Sequence, residues 1–96
     1  MTNQIKAGHH KFYIGENENT PQAEITFKYL DENTIDVNKT FVDPSLRGGG
    51  VAKKLFNEVI QKAEDENLKI VPSCSYVARQ FEKDKSLAPL LACLLY

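Results

Sequence analysis

The chain has 96 residues, two cysteines and a formal net charge of −1, with 42% hydrophobic and 26% charged residues. That is one domain, able to bury roughly 60–65% of its unfolded surface. The charge balance argues against an obligate nucleic-acid or anionic-membrane partner, and the cysteine count against a disulfide scaffold.

No apolar run reaches the length of a membrane span. Met1-Thr2-Asn3-Gln4 lacks the basic and apolar regions of a signal peptide, so a cytoplasmic setting with reduced thiols is expected. Cys74 and Cys93 have no zinc-ligand spacing, and no metal is expected.

Residues 1–8 read as a frayed start. His9-His10 lead into Lys11-Phe12-Tyr13-Ile14, a short strand signal. Neighbours on a strand point to opposite faces, which makes the pair a poor chelate and assigns it to the surface. Gly15 to Pro21 is a polar turn.

Ala23, Ile25, Phe27 and Tyr29 alternate with Glu24, Thr26 and Lys28. This period of two predicts a half-buried strand. After the turn Asp31-Glu32-Asn33, residues Thr34 to Val42 alternate again. Ile35, Val37, Lys39 and Phe41 are expected on one side, and Asp36, Asn38, Thr40 and Val42 on the other. Three strands with short turns predict an antiparallel meander.

Asp43-Pro44-Ser45-Leu46 takes the chain off the sheet, because Pro44 disfavours helix at Asp43. Arg47-Gly48-Gly49-Gly50 then leads into Val51-Ala52. Glycines let the backbone adopt positive φ and approach a ligand closely. The first N–H groups of a helix lack internal partners and carry partial positive charge. Together these features predict an anion cradle, most often for phosphate; the alternative is a plain flexible loop. A Walker A loop needs Gly-Lys followed by Ser or Thr, but Val51 follows Gly50. The dinucleotide fingerprint needs a third glycine where Lys53 stands.

Val51, Leu55, Val59 and Ala63 form one i, i+4 row, and Ala52, Phe56 and Ile60 the next. They predict an amphipathic helix from Val51 to Glu66, about 24 Å long. Asn67 suits a left-handed helix end. Leu68 to Val71 reads as a strand, so the sheet becomes mixed through a right-handed parallel crossover. A short helix from Tyr76 to Lys83 follows, with Ser75 as its N-cap. The apolar tail, residues 87–96, has helical spacing broken by Pro89. It either packs on the core or forms a dimer patch, leaving a monomer and a weak homodimer both open.

The spacing Arg-x-x-Gly-x-Ala, carried by Arg47, Gly50 and Ala52 between a strand and a helix, resembles the pyrophosphate signature of the GNAT superfamily of acyl-CoA N-acetyltransferases. With Thr40-Phe41-Val42 and Pro72-Ser73-Cys74-Ser75-Tyr76-Val77, residues 10 to 85 resemble its very small single-domain branch with a Pro-x-Cys-x-Tyr-Val segment.

The resemblance implies a minimal mixed α/β fold and acetyl-CoA or CoA as co-substrate. It implies that Gly48, Gly49, Gly50, Val51 and Ala52 offer amides to the pyrophosphate and that Arg47 adds charge. Phe41 and Val42 would offer main-chain contacts to the pantetheine arm, and Cys74 is the candidate nucleophile. A strand end beside a helix N-terminus can lower a thiol's pKa; the competing role for Cys74 is packing. Tyr76 is a candidate proton donor or a core residue, Ser73 and Ser75 suit caps, and Cys93 is expected to be inert. The branch often has His before the Thr of the central strand. Here that residue is Lys39, so the general base is unassigned.

Three functions follow. They are an acetyl-CoA-dependent N-acetyltransferase with an unidentified amine acceptor, a non-catalytic CoA-binding module, and an α/β domain without a CoA site.

Overall fold

The structure, a computed structural model, describes residues 4–92. Five strands form one sheet in the order β1-β2-β3-β4-β5. They are β1 (Lys6–Gly8), β2 (Lys11–Ile14), β3 (Ala23–Asp31), β4 (Thr34–Val42) and β5 (Lys69–Pro72). The first four are antiparallel neighbours, and β5 joins β4 in parallel, Thr34 opposite Lys69 and Val37 opposite Pro72. Helix α1 (Val51–Glu66) makes the crossover, and α2 (Ser75–Lys83) follows β5. This is the expected meander plus parallel crossover.

The chain start differs from its expected frayed state. Residues 6–8 pair with 11–13 and extend the sheet by an edge strand. His9 and His10 lie in the turn between them, with rings stacked at 4.2 Å and His10 at φ 57°. Among the described residues, no group of His, Cys, Asp or Glu could hold a metal, and no helix is long and apolar enough to cross a membrane.

The alternation expected along β4 breaks at Asn38. Thr26 stands opposite Lys39, but Phe27 stands opposite Val37, which leaves Asn38 as a bulge. One extra residue flips every side chain beyond it. Ile35 and Val37 face the core, as do Thr40 and Val42 opposite Ile25 and Ala23. Lys39 and Phe41 therefore turn to the other face, beside Thr26 and Glu24, against the sequence expectation that they share a side with Ile35.

Both helices cover the same face of the sheet. Val51, Leu55, Phe56, Val59 and Ala63 of α1 join Ile25, Phe27, Ile35, Val37, Ile70 and Val77 in one apolar core. The Phe56 ring meets Phe81 and Tyr76 of α2 edge-on, at 6.0 and 6.4 Å. Asn67 ends α1 at φ 58° and returns its N–H to the Ala63 carbonyl, because its short polar side chain tolerates this left-handed turn.

On the opposite face Glu24 is buried between Lys11 and Lys39, at 3.0 and 3.1 Å. Burial alone would raise its pKa, but the hydrogen bonds and charges of the two lysines outweigh it and hold the carboxyl below the ordinary range.

Two element ends shift. Strand β5 starts at Lys69 rather than Leu68, and α2 is capped by Cys74 rather than Ser75. Cys74 has extended φ and ψ, while its carbonyl accepts from the Ala78 amide and closes the first turn. Lys85–Leu90 is a 3-10 segment with Pro89 inside it, rather than the start of an α-helix. Leu87 and Leu90 pack against the core, and Leu91 then bridges to Ile70 alongside β5. Cys93 and the rest of the expected apolar tail lie outside the described residues.

Candidate functional site

Strand β4 outlasts β5. Their register ends where Val37 meets Pro72; Ser73 then turns, and the Cys74 amide donates to the Val37 carbonyl at 3.0 Å. Among the described residues, no strand pairs with β4 on that side from Asn38 onward. The Asp43 amide donates to the Gln22 carbonyl, which sets the alternation of the antiparallel pair. Phe41 accordingly spends its peptide groups on β3, and Thr40 and Val42 turn theirs toward the opening. The Val42 carbonyl is met there by Arg47 Nε at 3.2 Å.

At the mouth of this opening, Gly48 and Gly50 adopt φ 90° and 74°. Most L-residues avoid that region. Gly50 is the N-cap of α1, and no side chain caps the helix. The amides of its first turn therefore point outward without an internal partner. Built at Gly48 or Gly50, a Cβ would meet nothing within 4 Å. The space beside the loop is open to a ligand.

A cleft of about 390 Å³ lies here, lined by Val42, Leu46, Arg47, Gly48, Gly50, Val51, Ala52, Lys53 and Tyr76. Two of these residues are cations and none is a carboxylate, in a chain whose net charge is −1. The cleft therefore suits an anion better than the surface as a whole. Its residues fit a diphosphate carrying an extended arm with amide groups: amides and cations at the loop, open backbone edge along β4.

On the same stretch of β4, Thr40 Oγ1 lies 3.4 Å from Cys74 Sγ. Burial pushes the thiol pKa up. The Thr40 hydroxyl and the Val77 and Tyr76 amides oppose this, and the net shift is downward. Those two amides stand at the start of α2 without making a full side-chain capping bond, yet they favour the thiolate. Tyr76 is shifted the other way, since burial keeps its phenol protonated.

A family model for the GCN5-related N-acetyl-transferases matches residues 11–90. The chain belongs to the GCN5-related N-acetyltransferase family. A solution structure of a GCN5-like protein from Staphylococcus aureus, assigned to the N-acetyltransferases, is 42% identical. It covers 100% of this chain and 95% of its own, with a TM-score of 0.79. Protein NATD1 of Xenopus tropicalis is 27% identical over 63 residues, which are 66% of this chain and 58% of that relative's length. A GNAT family acetyltransferase from Elizabethkingia anophelis, crystallised with acetyl-CoA bound, shares the fold at 18% identity and a TM-score of 0.53. The match covers 79% of this chain and 51% of that one.

Of the residues singled out from sequence in this GCN5-related chain, Val42, Arg47, Gly48, Gly50, Val51, Ala52 and Tyr76 line one cleft. Gly49 and Phe41 are not among its lining residues; the Phe41 ring is exposed on the far face of the sheet. Cys74 is not among the lining residues either; its thiol meets Thr40. Sequence reasoning gave no site role to Thr40, which it named only in an alternating row and in the Thr40-Phe41-Val42 motif, or to Lys53, which it named only as breaking the dinucleotide fingerprint. Neither has a local signal: each acquires its place from a partner far along the chain, Thr40 from Cys74 and Lys53 from Gln80.

Proposed function

We propose that the chain is an acetyl-CoA-dependent N-acetyltransferase in which Cys74 carries the acetyl group between CoA and an amine. The observation that carries this reading is that the stretch of β4 beyond β5 has an anion cradle, Gly48–Ala52, at its end and a thiol of lowered pKa hydrogen-bonded to its Thr40. In this reading the first-turn amides of α1 hold the pyrophosphate. Thr40 and Val42 pair with the pantetheine amides, and Arg47 gives up the Val42 carbonyl as the arm enters.

The acetyl thioester then lies beside Cys74. The thiolate bonds to the acetyl carbon, and the carbon–sulfur bond to CoA breaks. The leaving sulfur takes the phenolic proton of Tyr76, which burial has kept in place. The neutral acceptor amine next bonds to the acetyl carbon as Cys74 leaves as thiolate, and the proton shed by nitrogen returns to Tyr76. The net products are CoA and an N-acetylated amine.

One observation favours a non-catalytic CoA-binding module: Cys74 does not line the cleft itself. A single experiment separates the two. Intact mass is measured after incubation with acetyl-CoA, for wild type and Cys74→Ala. One added acetyl group in wild type, absent in the variant, supports the enzyme. CoA binding without an adduct, and without acetylation of any amine in a panel of polyamines, amino acids and peptide N-termini, supports the module.

A further inference from the structure

Lys53 stands in the first turn of α1 and lines the cleft near Tyr76. Its Nζ donates to Gln80 Oε1 at 3.0 Å, and Gln80 is a buried polar side chain of α2, only 8% exposed. The same ammonium lies 5.4 Å from the centroid of the Phe56 ring. A lysine normally extends its charge into water and keeps its rotamer freedom. This one is held by an amide on one side and a ring on the other. Asp84, at the end of α2, also feels its charge.

The placement runs against helix electrostatics. The N-terminus of a helix carries partial positive charge, which disfavours lysine there. Lys53 and its neighbour Lys54 both occupy this first turn, which contains no acidic residue. An anion seated in the cleft is attracted both by the helix end and by these lysines, which offsets their mutual repulsion. Arg47 meets the Val42 carbonyl; Lys53 is the second cation of the cleft wall, and its charge is held on the α2 side.

We propose that Lys53 is a pre-positioned cation for the diphosphate of CoA, acting beside the α1 amides, and that Gln80 is the residue that positions it. This rests on the CoA reading above and adds a charge-selective element to it. Fixing the side chain before the ligand arrives removes part of the ordering cost from binding. Gln80 also ties the loop end of α1 to the helix that carries Tyr76, which keeps the two walls of the cleft in register.

The test is calorimetric titration of the full chain with CoA at two salt concentrations, with melting temperatures taken in parallel. Lys53→Met should bind CoA on the order of tenfold more weakly and lose affinity less steeply as salt rises. Lys53→Arg should restore binding and salt dependence. Gln80→Met should weaken binding about threefold but keep the wild-type salt dependence, since the charge remains. A Lys53→Met variant that binds CoA as tightly as wild type overturns the proposal. So does one that binds weakly with an unchanged salt dependence, because that pattern marks a purely structural tie. Wild type that binds no CoA overturns the CoA reading and this one with it.

Discussion

Cys74 Sγ and Thr40 Oγ1 lie 3.4 Å apart across 34 residues of chain. The contact exists because the bulge at Asn38 turns Thr40 inward, while the end of β5 delivers Cys74 to the Val37 carbonyl. A hydroxyl can accept from a thiol and donate to a thiolate; the second arrangement is the stronger, being charge-assisted.

Thr40→Val should therefore make Cys74 a poorer nucleophile. Removing the hydroxyl takes away a donor to the thiolate and leaves burial unopposed on that side, so the thiol pKa rises. At neutral pH the thiolate fraction falls, and alkylation by iodoacetamide slows several-fold. Peptide-resolved mass spectrometry at Cys74 across pH would show the whole profile displaced to higher pH. Thr40→Ser should leave it in place. An unmoved profile in Thr40→Val would remove Thr40 from the account of Cys74.

The glycines of the loop should differ from one another. Gly50→Ala forces a left-handed residue at the start of α1, at a cost of about 1–2 kcal/mol. For a domain of this size each kilocalorie corresponds to a melting shift of roughly 4–8 °C. Gly50 also lines the cleft and caps the helix whose amides face it, so CoA affinity should drop as well. Gly49→Ala has neither handicap: the backbone there is not left-handed, and the new Cβ meets only the Leu46 carbonyl, at 3.8 Å. Its stability and CoA affinity should match wild type within error. Equal losses at both positions would mean that the loop matters only as flexible chain.

Glu24 ties acid stability to the open face of the sheet. Its folded pKa is depressed by Lys11 and Lys39 despite burial. A carboxylate depressed in this way adds stability above its unfolded pKa, about 4.3. That contribution is lost as the pH falls through the lower, folded value. Glu24→Gln should cost about 1 kcal/mol at neutral pH and should flatten the acid limb of a urea-denaturation series. A variant whose stability falls with acid as steeply as wild type would assign that limb to other carboxylates.

Phe56 joins the two helices. It is 1% exposed and packs against both Tyr76 and Phe81. Phe56→Ala should cost roughly 3–5 kcal/mol, a large part of the 5–15 kcal/mol typical of a whole domain. Phe56→Leu should cost less. Because the ring also supports Tyr76 in the cleft wall, the leucine variant should weaken CoA binding beyond what its melting temperature accounts for. Binding lost only in proportion to unfolding would confine Phe56 to the core.

Much of this molecule is legible locally. The bounds of β4 and α1, Thr34–Val42 and Val51–Glu66, coincide with those read from the sequence. Period-two alternation, a glycine before an i, i+4 stripe and Asn67 after it are all properties of neighbouring residues. The arrangement of Arg47, Gly50 and Ala52 around one helix end is local for the same reason. What only the tertiary structure decided depends on partners distant in the chain. Cross-strand register placed the bulge at Asn38 and so exchanged the faces of Phe41 and Thr40. Two lysines from different strands buried Glu24. Lys53 reached Gln80 across 27 residues, and Leu91 was drawn to Ile70 because β5 had a free edge. Local pattern chooses the elements, since backbone geometry repeats over a few residues. The contents of the site follow from packing, which brings together side chains that share no local signal.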